Sequence, residues 1–123
     1  MVVDTSIFIE YVRAKDKTAT MLENLPPGSL IYVSAVTVYE IMAGATDPVK
    51  RRDFKLLFEN LLVLPFNTDV AEQSAAIYQS LKSRGQTIEH NDIFIAATAL
   101  VNNLPVKTLN IRHFSRVPGL IPA

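Results

Sequence analysis

The chain of 123 residues contains no cysteine, which excludes disulfide stapling, thiol catalysis and thiolate-bound zinc and leaves the redox compartment open. Net charge is absent too, because 12 Lys and Arg residues balance 12 Asp and Glu residues. A protein that coats nucleic acid without selectivity needs a broad basic surface, so that class is excluded. An enzyme that grips nucleic acid locally is not. No apolar run approaches the length of a membrane span, and no basic segment followed by a long apolar stretch opens the chain. The expectation is a soluble, cytoplasmic protein without membrane association. Only two histidines occur, His90 and His113, and they lack any HExxH-like spacing, so zinc has little support.

What is present is core-forming material. Hydrophobic residues make up 49% of the chain, enough for a sizeable core, and no polar tract, internal repeat or linker divides it. One domain over residues 1–123 is expected. The apolar start "MVVD" reads as a strand, and "TSIFIEYVRAK" places Ile7, Phe8, Tyr11 and Val12 at helical spacing, with Thr5 or Ser6 available as a cap. After the punctuation "PPGS", residues 30–34 read as a strand and "AVTVYEIMAGA" as a helix ending near Gly44. "TDP" has the form of a cap followed by a first-turn proline, and opens a helix carrying Phe54, Leu57, Phe58 and Leu61. "LLVLPF" reads as a strand. Asn67 or Thr68 caps a helix with Val70, Ser74, Ile77, Tyr78 and Leu81 on one face, which Gly85 terminates. A further helix over 92–102, capped by Asn91, and a strand over 105–109 complete the pattern. Strands separated by helices imply an α/β fold in three α-β-α layers around a mostly parallel sheet.

Ligands in such folds sit beyond the carboxyl ends of the strands. Asp4 stands there, directly after Val2 and Val3, where a carboxylate needs partners; it either caps the following helix or belongs to a site. Glu40 lies among Val36, Val38, Ile41 and Met42, and either points outward or serves the same site, with Gly44 one turn on leaving room for a close approach. Asp92 suits the first turn of a helix as well as a site, and Glu89 either extends the cluster or stays in solvent. Acids from separate segments, without cysteine or a histidine pair, match hard ions such as Mg²⁺, with Mn²⁺ as the alternative. The cation removes the repulsion that clustering creates. Such a site suits phosphodiester hydrolysis, with Asp92 or Glu89 orienting the attacking water. Ser6, Thr108 and Asn110 are placed to orient the acids or simply to satisfy turns. Arg112 and Arg116 either contact a nucleic-acid backbone or pair with carboxylates.

Four segments, "VVDTSIFIEYV", "VSAVTVYEIMAGA", "NDIFIAATAL" and "VKTLNIRHFSRVPGL", together resemble PIN-domain ribonucleases, specifically the VapC-type toxins of toxin–antitoxin pairs. The resemblance implies that Asp4, Glu40 and Asp92 are the family's three metal-binding catalytic acids. Ser6 matches the hydroxyl residue supporting the first acid, and Thr108 the one preceding the last site position. Asn110 stands where many PIN domains have a fourth Asp. It further implies a Mg²⁺- or Mn²⁺-dependent endoribonuclease acting on transfer or ribosomal RNA, blocked by a VapB-like antitoxin, and a homodimer or larger toxin–antitoxin assembly. Two rivals stand beside it. One is a phosphate-transfer or phosphatase domain with Asp4 as nucleophile, and the other a non-catalytic binding module whose acids cap helices or meet a partner's basic residues.

Overall fold

The computed structural model describes all of residues 1–123. Four short strands alternate with six helices. They are β1 (Val2–Val3), α1 (Thr5–Arg13), β2 (Tyr32–Ser34), α2 (Ala35–Gly44), α3 (Pro48–Glu59), β3 (Leu62–Leu64), α4 (Thr68–Ser83), α5 (His90–Val101), β4 (Val106–Lys107) and α6 (Ile111–Phe114), with a single 3₁₀ turn at Lys17–Ala19. The sheet order is β3-β2-β1-β4, and every pairing is parallel. A fully parallel sheet must be covered on both faces, and the alternation of side chains along β1 does this with two residues. Val2 enters a core shared with α4 and α5, while Val3 enters one shared with α1, α2 and α3. The expected α/β architecture in three layers is therefore present.

Local chemistry sets the helix starts. Asn67 accepts from Val70 N and Asp47 from Val49 N, with Pro48 in the first helical position as "TDP" implies. Gly85 closes α4 in the left-handed region at φ 63°, where Gly85 N and Gln86 N bond back to Lys82 O and Leu81 O. Neither Thr5 nor Ser6 caps α1; Asp4 does. The helix expected over 92–102 begins at His90, so Asn91 lies inside its first turn and is not its cap. The cap position is Glu89, without a side-chain bond. Gly44 ends α2 with open space where a Cβ would stand, so no close approach explains it. Two strands are shorter than expected: β2 covers Tyr32–Ser34 of 30–34, and β4 covers Val106–Lys107 of 105–109. No helix is long and apolar enough to cross a membrane.

The strand order locates a site. The chain leaves β1 for β2 on one side, while β3 crosses the sheet through α4 and α5 to reach β4 on the other. Connections thus diverge between β1 and β4, and a crevice opens beyond their carboxyl ends. Asp4 follows β1, and Thr108 follows β4.

Candidate functional site

Asp4 is 3% exposed, and its two carboxylate oxygens have opposite situations. Oδ2 accepts from Ser6 Oγ at 2.7 Å, from Thr108 Oγ1 at 2.8 Å and from Ser6 N at 3.4 Å. Each hydroxyl has one proton, and both are directed to this atom. Ser6 Oγ in turn accepts from Leu109 N at 3.1 Å, and Thr108 Oγ1 from Asn110 N at 2.9 Å. Oδ1 is buried and has no hydrogen-bond partner. Capping, one of the two alternatives in the sequence, is present through Oδ2, which finishes α1, while Oδ1 is left without a donor. A buried carboxylate held in this way is poorly placed for direct attack on a phosphate, which disfavours the nucleophile reading.

Glu40 is reached through the residue after Asp4. Thr5 Oγ1 donates to Glu40 Oε1 at 2.8 Å and lies 3.0 Å from the buried Thr37 hydroxyl. Thr37 and Glu40 are one turn apart on α2, whose start is fixed by Ser34 Oγ accepting from Val36 N. Asp92 lies in the first turn of α5. Its Oδ2 accepts from Asn110 Nδ2 at 3.3 Å, and His113 Nδ1 stands 3.7 Å from the same oxygen. A continuous path of hydrogen bonds therefore runs from Asp4 through Thr108 and Asn110 to Asp92, while Thr5 ties Glu40 to the backbone beside Asp4.

Electrostatics reports the same proximity. Burial pushes the Asp92 carboxyl up to about 6, and the charges of Asp4, Glu89 and Glu40 add to the rise, while His113 opposes it. Glu89, although exposed, thus contributes its field to the site. No three His, Asp or Glu side chains stand close enough to hold one ion directly. The acids share a region rather than a ready-made ligand shell. A hard cation that retains part of its water suits such a spread of oxygens, and the partnerless Asp4 Oδ1 is an atom such an ion would satisfy. A hollow of about 420 Å³ lies instead against Val106, Leu109, Ile111 and Phe114, and no Asp or Glu lines it.

The basic residues separate into two kinds. Lys17 Nζ is committed to Tyr11, Val12 and Ala14 carbonyls, and Arg84 Nη2 to Arg116 O. Arg116 Nη1 donates to Thr87 O at 3.2 Å, and Arg112 is exposed at the start of α6. Neither Arg112 nor Arg116 pairs with a carboxylate; the one basic side chain close to an acid is His113, 3.7 Å from Asp92. Sequence reasoning did not assign Thr5, Thr37 or His113 to the site. Thr5 directly follows an acid, Thr37 lies one turn before Glu40, and His113 comes three residues after Asn110, so spacing offered a signal for each.

The fold agrees with comparisons to known proteins. A family model described as "PIN domain" matches residues 1–120. Ribonuclease VapC of Rickettsia bellii is 32% identical over 127 aligned positions, covering 98% of this chain and 92% of the relative. Ribonuclease VapC1 of Methanocaldococcus jannaschii is 28% identical over 117 residues, covering 95% and 80%. Among solved structures, VapBC-1 from nontypeable Haemophilus influenzae is similar with a TM-score of 0.84 at 28% identity, covering 99% of this chain and 95% of the other. VapBC2 from Rickettsia felis, bound to a DNA fragment from its promoter, reaches 0.86 over 99% and 96%; at 22% identity that likeness concerns the fold alone. The family match spans nearly the whole sequence, and a ribonuclease relative exceeds 30% identity over almost all of it, so this chain belongs to the PIN-domain family, among its VapC ribonucleases.

Proposed function

We propose that this chain is a divalent-cation-dependent endoribonuclease and the toxin of a toxin–antitoxin pair, with Asp4, Glu40 and Asp92 holding Mg²⁺ or Mn²⁺. The observation that carries the metal reading is the buried, partnerless Asp4 Oδ1, with the charges of Asp4, Glu89 and Glu40 all adding to the rise at Asp92. A bound cation supplies an acidified water and offsets charge on the phosphoryl oxygens. The remaining work falls to the protein's own groups. Ser6 and Thr108 fix Asp4 through Oδ2, Thr5 fixes Glu40, and Asn110 holds Asp92 through its amide. Asp92 or Glu89 orients the attacking water. Arg112 and Arg116 lie on the segment after β4 and contact the RNA backbone, which a carboxylate pocket alone would repel.

The substrate class is RNA of the translation machinery, transfer or ribosomal, as the family resemblance implies. A VapB-like antitoxin and a homodimer or larger toxin–antitoxin assembly complete the reading, in the cytoplasm and with residues 1–123 acting as one nuclease domain. Exposed apolar side chains support a protein partner: Tyr39 is 67% exposed, Leu62 56% and Val63 49%. The test compares wild type, D4N and D92N by mapping RNA ends after induction in cells and after incubation with Mn²⁺ in vitro. Folded D4N is expected to lose most cleavage. Normal cleavage by folded D4N would remove Asp4 from the catalytic set.

A further inference from the structure

His113 has no part in the reading above, yet it stands beside the carboxylates. Its Nδ1 lies 2.8 Å from Asn110 Nδ2 and 3.7 Å from Asp92 Oδ2, the latter too long for a hydrogen bond. The side chain is 39% exposed. Asn110 is constrained from two directions: its backbone N donates to Thr108 Oγ1, and Nδ2 donates to Asp92 Oδ2. An ionised carboxylate only accepts, so the amide edge turned toward Asp92 is the NH₂ edge and not the carbonyl. The second hydrogen of that NH₂ group meets His113 Nδ1, which must then accept. An imidazole that accepts at Nδ1 carries its proton on Nε2. The hydrogen bonds of the ring involve Nδ1 alone, so no protein group takes the Nε2 proton.

The site around this ring is acidic. Asp4, Glu40, Glu89 and Asp92 all lie near enough to interact, and a phosphate group approaching them meets like charge. A fixed N–H donor at the rim offsets that repulsion, and it costs no reorganisation when its tautomer is already set. We propose that His113 is a substrate-contacting residue of this site, donating Nε2–H to a phosphate oxygen of the RNA, with Asn110 setting the tautomer that makes this possible. The proposal rests on the ribonuclease reading above.

Two variants separate this role from mere support of Asn110. The side-chain amide in H113N occupies the position of Nδ1 but does not reach that of Nε2. The longer amide in H113Q places an N–H donor near the Nε2 position. Wild type, H113N and H113Q would be assayed with Mn²⁺ on end-labelled bulk transfer RNA for kcat and KM. Mn²⁺ affinity would be measured separately on each protein without RNA. H113N is expected to keep Mn²⁺ affinity within about twofold and to lose kcat by roughly 100-fold, the scale of one lost transition-state donor. H113Q is expected to recover at least about tenfold of that loss. Cleavage by H113N at the wild-type rate would overturn the proposal. So would parallel loss of Mn²⁺ affinity and kcat in both variants, which would make His113 a prop for Asn110 only. Wild type that fails to cleave RNA with Mn²⁺ removes the ribonuclease reading, and this proposal with it; an active wild type whose variants give either overturning result removes this proposal alone.

Discussion

Replacing Asp92 by Asn is expected to abolish cleavage and to stabilise the metal-free protein at neutral pH. The Asp92 carboxyl is raised from 3.8 to about 6, with burial the largest cause and the neighbouring acids next. Folding therefore favours its protonated form, and the ionised form opposes folding. The sign follows from linkage: between pH 4 and 6 the folded chain holds more protons than the unfolded one, so stability falls as pH rises through that window. Above it the penalty is complete. Two pKa units correspond to about 3 kcal/mol as a ceiling. The side chain is 18% exposed, so solvent screens part of this. An acid in the first turn of α5 also gains favourable helix-dipole energy that the amide forfeits. About 1–2 kcal/mol should remain, or a rise in Tm of roughly 5 °C for a chain of this length. The amide oxygen of the variant can still accept from Asn110, so no donor is orphaned. Thermal unfolding in EDTA at pH 7.5 and pH 5 measures the effect, with the difference between D92N and wild type shrinking at the lower pH. A D92N protein less stable than wild type at pH 7.5, or a difference independent of pH, would refute the reasoning.

Added Mg²⁺ or Mn²⁺ should raise the Tm of wild type in proportion to the logarithm of its concentration and do so far less for D92N, as thermal scans across a metal titration would show. Thr5→Val removes the donor to Glu40 while keeping shape, and should lower Mn²⁺ affinity or cleavage about 10–100-fold with the fold intact by circular dichroism. Thr108→Val takes one of three donors from a buried oxygen and should cost about 1–3 kcal/mol in urea unfolding. Phe8 is fully buried and packs edge-on against Phe58 at 5.5 Å, so Phe8→Ala should cost about 3–5 kcal/mol by the same assay.

The parts of the fold that local chemistry decides were legible in the amino-acid pattern. Pro48 after Asp47, Asn67 before Val70 and Gly85 after α4 do what their residue types allow, and on the expected face of α4 Val70, Ser74, Ile77 and Leu81 are buried while Tyr78 is half-buried. The start of α5 was not legible, because no side-chain cap sets it. His90 instead stacks on Tyr78 of α4, with ring centroids 5.5 Å apart, a contact between elements that spacing within one helix does not encode. The position of β4 next to β1 is likewise a matter of crossover. In the candidate site, Asp4 and Glu40 stood out as acids in apolar company, and Asp92 as the last of a polar group that opens an apolar run. The supporting set did so unevenly: Ser6 and Thr108 were recognisable next to Asp4 and the final strand, whereas the roles of Thr5 and His113 depend on which side chains meet across the crevice. The expected alternative for Arg112 and Arg116, pairing with carboxylates, fails because Arg116 reaches a backbone carbonyl and Arg112 faces solvent.

The pairing of β1 with β4 has a consequence for when the acids of this chain acquire their surroundings. Asp4 leaves the ribosome about a hundred residues before the hydroxyl of Thr108 and the amide of Asn110 that organise its surroundings. At translation speeds of roughly 5–20 residues per second, several seconds separate the two. During that interval the nascent chain gains Glu40 and Asp92 but not the Thr108 hydroxyl and Asn110 amide, and chains cut short before β4 would carry the same acids without these partners.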